Sequence, residues 1–375
     1  MYKFLLLFLI FIAGCANQKQ VKHKYLLYIG TYTDSGSEGI YISEFDSITG
    51  TLSKPVLAAS IKNPSFQYIN KDKSLLWSVS EAEDGTGLVC GFKIDQSTGK
   101  LNQQSIFSTK GNGPCYVSMD ETHNILLAAN YRSGSIFGIS VNEKGEATDS
   151  AITDLHRGAG PNPDRQKGPH AHSIRPDLNG KYIYSADLGT DKVYVYTVEA
   201  QKLLLYKEIK LQPGSGPRHI DFHPKMKAMA VINELNGTVT LFTPDSSGCF
   251  SKYHSTTSTL PDTFEDFNKC ADIHFSPSGE LLYASNRGHN SIVIYKVDQE
   301  TLSLKRVGWE QETVNWPRNF TITNSGKYLL VANKDANTVT VFEVDQKTGL
   351  LSYTDNSITV DKPVCLNMIK LGNKL

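Results

Sequence analysis

Gly216-Pro217-Arg218-His219-Ile220-Asp221-Phe222-His223-Pro224 is followed nine residues later by Asn233-Glu234-Leu235-Asn236-Gly237-Thr238-Val239. A proline leads an alternating run, a His-Pro turn ends it, and a second apolar run, Lys227–Ile232, closes on an asparagine. Alternation at period two signals a half-buried strand, and proline is at home on the first residue of a strand. Two short strands joined by a tight turn are thus predicted. Neither could bury its apolar face alone, so the question is whether the unit repeats.

It does. Pro64, Pro114, Pro169, Pro317 and Pro363 each lead a similar run, and Cys270-Ala271-Asp272-Ile273-His274-Phe275 fills the gap before Pro317, its Ser276-Pro277 matching His223-Pro224. Successive leading positions lie 50, 55, 48, 53, 47 and 46 residues apart. A period near fifty with several strands per unit predicts propeller blades. Second strands are expected at Ile125–Ala129, Lys181–Ala186, Lys227–Ile232, Leu281–Ser285 and Lys327–Ala332. Third strands follow at Val193–Val198, Val239–Phe242, Ile292–Val297 and Val339–Val344. Turns such as Asp95-Gln96-Ser97-Thr98-Gly99 lead to a fourth strand, Asp starting the bend and Gly supplying positive φ. Tyr25–Gly30 and Gly39–Asp46 read as second and third strands without a first, and Pro363–Ile369 as a first strand without a sequel. Joined, they close a ring with no open edge. The fold expected is all-β: one seven-bladed β-propeller of four-stranded blades over residues 25–375. The longest irregular stretch is Thr153–Lys167.

The composition agrees. The chain has 375 residues, 39% of them hydrophobic, enough for a large core, while its 38 Lys+Arg balance 38 Asp+Glu. That neutrality argues against nucleic acid as a partner. Met1-Tyr2-Lys3 and the apolar run Phe4–Ile12 read as a signal peptide over residues 1–14, since nine residues are far short of the ~20 that span a bilayer. Ile12-Ala13-Gly14-Cys15 resembles the lipobox of bacterial lipoproteins. The expectation is an exported protein of the bacterial cell envelope, anchored in the membrane through a lipid on Cys15, with residues 15–24 as a tether. An ordinary secretory signal with a chance cysteine is the alternative. The other five cysteines, Cys90, Cys115, Cys249, Cys270 and Cys365, form no C-x-x-C pair and read as small core residues.

In a blade, first strands begin and second strands end on the same face of the disc. The residues superposed behind the leading position are Phe66, which stands two beyond Pro64, and Cys115, His170, Arg218, Ala271, Arg318 and Val364, which directly follow theirs. The residue after the second strand's closing Asn or Asp is Tyr131, Leu188, Glu234, Arg287 and Lys334. A purely structural turn would not demand such different charges. His170, Arg218, Glu234 and Arg287 are therefore expected at one rim, as an anion and oxyanion site, because a guanidinium fork suits carboxylate or phosphate. Inter-blade salt bridges would explain the same residues more simply. His219, Asp272 and Asn319 share the next position and are expected to line the channel, Asp272 reading equally well as a buried hydrogen-bonded strut. His170 and His172, two apart, share a strand face, but no acidic cluster lies near enough in sequence to suggest a metal, and none is expected. His123, His156 and His254 read as loop residues.

Gly216–Pro224 with Asn233–Val239, Ala271–Pro277, Ser285-Asn286-Arg287, Gln311–Phe320 and Gly168-Pro169-His170-Ala171-His172 together resemble the propeller-type 6-phosphogluconolactonase family, over essentially the whole mature chain. Carboxymuconate cyclases are related. The resemblance implies hydrolysis of a sugar lactone without metal or organic cofactor, with His170, Arg218, Glu234 and Arg287 catalytic. Glu234 or His170 would take a proton from water and the two arginines would stabilise the oxyanion. His172, His219, Asp272, Arg318 and Lys334 are expected to bind substrate, and Arg165 could also hold a phosphate or hydroxyls. A single closed ring of this kind is expected to work as a monomer. The leader departs from the family picture, since a phosphorylated cytosolic lactone is not available outside the inner membrane. A non-catalytic envelope-binding propeller and a muconate-type lactonising enzyme are the rivals. Lactone hydrolysis by wild type, Arg218→Ala and Glu234→Ala separates them.

Overall fold

The computed structural model describes residues 23–81 and 87–370. The signal peptide, Cys15 and nearly all of the tether lie outside them, as do residues 371–375. Six of the expected blades are antiparallel four-stranded sheets, and in the seventh the outermost place is shared by two short strands, Thr51–Leu52 and Val56–Ser60, both paired with Gly39–Asp46. Blade 4 is built from Pro217–Phe222, Met229–Asn233, Thr238–Pro244 and Phe250–Ser258, in that spatial order from the axis outward. Blades 1, 2, 3, 5 and 6 begin with Gln67–Ile69, Pro114–Asp120, Ala171–Pro176, Lys269–Phe275 and Pro317–Ile322. In blade 7, Pro363–Lys370 from the C-terminal end pairs antiparallel with Lys24–Thr31, which pairs with Gly39–Asp46. This is the expected ring closure, and the first strand starts one residue before the expected Tyr25.

Both faces of each blade are covered by neighbouring blades, which explains why second strands read as nearly unbroken apolar runs instead of alternating. Seven buried clusters sit between successive blades; Ala230, Ile232, Val239 and Leu241 of blade 4, for example, meet Ile273, Leu282, Ala284 and Val293 of blade 5. The outermost strands return to alternation, as in Lys202–Lys210, because one of their faces meets water.

A recurrent irregularity matters most for function. Where the innermost strand leaves its leading residue, the register with the second strand slips: Pro217 faces Asn233 but His219 faces Ile232, leaving Arg218 unpaired. The same slip leaves out Arg318, Cys115, His172 and Val364 in their blades. A bulge bends the strand and re-aims the extra side chain. Six blades thus deliver one special residue at one mouth of the channel, Ala271 taking this place in blade 5.

This register corrects the superposition made on the leading prolines. In blade 3 Ala171, not Pro169, faces Asp187 as Pro217 faces Asn233, so the counterpart of Arg218 is His172 and not His170. In blade 1 Gln67 faces Ser78 as Ile220 faces Val231, so the counterpart is Ser65, the residue directly after Pro64, and not Phe66 one position further on. The stretch expected to be irregular also begins later, because Ile152–Leu155 is the fourth strand of blade 2.

Candidate active site

Three of the bulge residues, Cys115, His172 and Arg318, and most of the residues that follow the second strands line a cavity of about 470 Å³ at one end of the axis. Glu234 lies in its wall and is buried. Its Oε1 accepts from Arg165 Nη2 at 2.7 Å; its Oε2 accepts from Arg218 Nε at 3.1 Å and Arg287 Nη2 at 2.8 Å. Burial alone would raise this carboxyl, but Arg287, Arg218 and Arg165 more than offset it and hold it at about 2. The carboxylate is therefore a fixed anion whose two oxygens are already occupied.

Arg218 is deeper still, at 1% exposure, beneath the cavity rather than in its lining. Burial and the neighbouring Arg287 and Arg318 push it down to about 9, so this guanidinium depends on Glu234 for compensation. Its Nη1 donates to the carbonyl of Ala271 and to His219 Nε2 at 3.1 Å. That fixes the tautomer: His219 Nδ1–H donates to Asp272 Oδ1 at 2.8 Å. Asp272 Oδ2 is met by His274 Nε2 at 2.9 Å and by Asn319. Burial and Arg218 lower His219 to about 3, so it is a neutral link between Arg218 and Asp272. His219 and Asp272, expected to touch substrate, instead form the layer under the floor, where Phe66 and Tyr116 stack at 4.0 Å and pack edge-on to His219.

His172, Arg318, Lys334, Arg287 and Glu234 do line the cavity. Burial, with Arg218 beside it, holds His172 well below the usual histidine range, so the imidazole is neutral; its Nδ1 lies 3.5 Å from Cys115 Sγ. His170 is not in the lining. Its Nδ1–H donates to the Tyr131 carbonyl at 2.8 Å and its ring stacks 4.6 Å from that of Tyr131, which does line the cavity. The two histidines thus turn to different partners. Among the described residues no three His, Cys, Asp or Glu side chains are grouped as metal ligands.

Arg165 comes from the connection between blades 2 and 3, and its placement is built residue by residue. Asp187 holds both ends of that connection, accepting from His156 Nδ1 at 2.7 Å and from the His170 amide at 2.9 Å. His156 is fully buried, stacked 3.7 Å from Tyr194, and so is no ordinary loop residue. Gln166 then donates to the Leu188 carbonyl and Asp191, both at 2.8 Å, and Asp191 also accepts the amide of Gly216 at 2.7 Å. Gly216 has φ 62°, and a Cβ there would stand 2.4 Å from Leu235 Cγ, so only glycine lets this turn lie against blade 4.

Sequence reasoning missed Tyr32, Glu81, Arg132, Lys269 and Trp316, all in the lining. Tyr32 and Glu81 occupy the post-second-strand position of blades 7 and 1, so the superposition extended to all seven repeats would have found them. Trp316 carries Arg287 and Lys334 on its ring, at 5.7 and 5.3 Å from the centroid.

The lining holds seven cationic side chains, Arg132, Arg165, Lys269, Arg287, Arg318, Lys334 and Lys362, against three carboxylates, Asp34, Glu81 and Glu234. Among the described residues Arg132, Lys269 and Arg318 make no ion pair. Such a mouth concentrates anions.

Residues 26–368 match the family model "Lactonase, 7-bladed beta-propeller". The chain is 36% identical over 349 residues to the 6-phosphogluconolactonase of Bacillus subtilis, covering 92% of this chain and 99% of that one. It is 33% identical over 306 residues to a 6-phosphogluconolactonase of Formosa agariphila, covering 79% and 86%. Among solved structures, the periplasmic gluconolactonase of Pseudomonas aeruginosa superposes with a TM-score of 0.87 at 29% identity, over 93% of this chain and all of that one. The chain belongs to the lactonase family of seven-bladed β-propellers and is an enzyme of lactone hydrolysis.

Proposed function

We propose that the cavity opens a sugar lactone that carries an anionic group, 6-phosphogluconolactone or a close relative. The observation that carries this is the trio of cavity-facing cations, Arg132, Lys269 and Arg318, without carboxylate partners among the described residues. Arginines fixed on Glu234 meet the lactone carbonyl, while the unpaired cations hold the remote anionic group. Arg287 and Arg165 line the cavity and are anchored through Glu234, so their remaining N–H groups are oriented before substrate arrives. One preorganised oxyanion donor is worth about 2.7–4 kcal/mol of barrier. Water adds to the carbonyl carbon, the tetrahedral oxyanion forms against these N–H groups, and the ring C–O bond breaks to give the hydroxy acid. Glu234 acts here as the counter-ion that fixes three guanidiniums.

A second reading, an unphosphorylated aldonolactone, is supported by the name of the Pseudomonas aeruginosa relative together with the leader-like residues 1–14 and Cys15. In that reading the chain works in the envelope as a lipid-anchored protein. Hydrolysis of 6-phosphogluconolactone and of gluconolactone, each above its spontaneous rate, decides between the two. The anionic reading expects the phosphorylated lactone to win in kcat/KM, and Arg318→Ala to raise its KM at least tenfold while barely touching the neutral lactone. Equal losses on both substrates contradict it. Palmitate labelling that disappears in Cys15→Ala tests the anchor.

A further inference from the structure

Glu234 is no free base, since arginines hold both its oxygens, and a second carboxyl in the same cavity has different surroundings. Glu81 occupies in blade 1 the place Glu234 occupies in blade 4: each lies three residues beyond the residue, Ser78 or Val231, that faces Gln67 or Ile220. The partner from the innermost strand is equivalent too. Where Arg218 reaches Glu234, Ser65 Oγ donates to Glu81 Oε1 at 2.7 Å. The same backbone frame therefore holds one glutamate with a guanidinium and the other with a neutral hydroxyl. Among the described residues the Glu81 carboxyl meets only hydroxyls, those of Ser65 and Tyr32, and no ion pair, whereas both oxygens of Glu234 are taken by guanidiniums. Both carboxylates line the one cavity.

We propose that Glu81 is the proton-transfer residue of lactone opening, working across the cavity from the arginine cluster that Glu234 fixes. The inference rests on the lactonase reading above. Glu81 takes a proton from water as the water oxygen bonds to the lactone carbonyl carbon, and the resulting tetrahedral oxyanion is met by Arg287. When the ring C–O bond breaks, Glu81 returns that proton to the departing ring oxygen, and the new carboxylic acid loses its own proton to solvent. Glu81 begins and ends as a carboxylate, and one water is consumed per lactone.

The surroundings suit that task. Burial raises the Glu81 carboxyl, and Arg318, the Ser65 hydroxyl, Arg132 and the Tyr32 hydroxyl oppose this only in part; the Cys115 thiol is a further titratable neighbour. Two carboxyls whose environments drive them apart divide acid–base work from electrostatic work. A base near working pH is the more effective one.

Glu81→Gln keeps shape and the Ser65 contact. Its kcat on the better of the two lactones is expected to fall about 10²–10⁴-fold, the range for losing a general acid–base group. Affinity for the open-chain acid product is expected to stay within about threefold of wild type, showing an intact cavity, and Glu81→Asp should retain intermediate activity. The acid limb of kcat/KM in the wild type should vanish in Glu81→Gln. Wild-type kcat in Glu81→Gln, or an unchanged acid limb, overturns the proposal. Independently of turnover, carboxyl-carbon NMR should show a resonance absent from Glu81→Gln that titrates above the ordinary 4.5; one titrating at or below it also overturns the proposal. No wild-type turnover on any lactone would instead sink the lactonase reading, leaving the carboxyl titration as the test of Glu81.

Discussion

Arg218 Nε lies 3.1 Å from Glu234 Oε2, joining the bulge at the start of one strand to the first residue beyond the next. Neither is in water: both are at most 3% exposed. Breaking a buried pair by neutralising one partner strands the other charge, at a cost of about 3–5 kcal/mol. Here the anion compensates three cations, so Glu234→Gln is the more damaging choice than any single arginine. We expect it to lower unfolding free energy by at least that range in urea titrations and to remove lactone hydrolysis. A variant as stable as wild type would mean that the arginines find compensation elsewhere.

The same carboxylate sets an acid limit. Its folded value is held at about 2 against an ordinary 4.5. A carboxyl depressed on folding contributes stability that is fully present above its unfolded value and is lost as pH falls through the folded one. The contribution of Glu234 should therefore be intact above about pH 4.5 and drain away between there and about pH 2. Unfolding free energy measured across that window should fall more steeply in wild type than in Glu234→Gln. Parallel slopes would show that Glu234 does not carry the effect.

The ring was readable because turns punctuate every repeat and prolines lead six of the seven, and because closure by terminal strands follows from counting which strands each end lacks. The convergence of Arg218, Glu234 and Arg287 followed from the same counting. What failed was register at single-residue scale. Pro169 looks like Pro217, yet the bulge in blade 3 comes two residues later and brings His172 to the axis, with His170 outside against Tyr131. Nothing in local composition reveals where a ladder slips. Arg165 was legible only as a free cation, since its position is made by Asp187, Asp191 and Gln166 acting across separate segments. The role of His219 was hidden because a channel-facing position can lie either in the floor or beneath it, whereas Asp272 was readable as a buried hydrogen-bonded strut and is one.

That hidden layer makes its own prediction. His219 accepts from Arg218 and donates to Asp272, so it aims the guanidinium without meeting the cavity. His219→Phe keeps a ring against Phe66 and Tyr116 but removes both bonds. A hydrogen bond to a charged group is worth about 1.5–3 kcal/mol, which is about 10–150-fold in rate if it is felt mainly in the transition state. The expected signature is a fall in kcat of that size with KM within twofold. A change in KM alone would make His219 part of substrate binding instead.

Asp187 ties both ends of the segment that carries Arg165, and its bond to His156 is wholly buried. His156→Phe preserves the stack on Tyr194 while cutting the links to Asp187 and to Tyr196, whose hydroxyl is 3.1 Å from Nε2. The blades keep their clusters, so global stability should drop by only about 1–3 kcal/mol, the usual cost of leaving a buried polar group without its partner. The segment itself should open far more often, since local opening depends on local contacts and not on the whole ring. Trypsin cleavage after Arg157, Arg165 or Lys167 should then accelerate strongly under native conditions, with KM for the lactone rising as Arg165 leaves Glu234. Cleavage no faster than in wild type would show that Gln166 and Asp191 suffice to hold the segment, and that the His156–Asp187 pair is only part of the blade core.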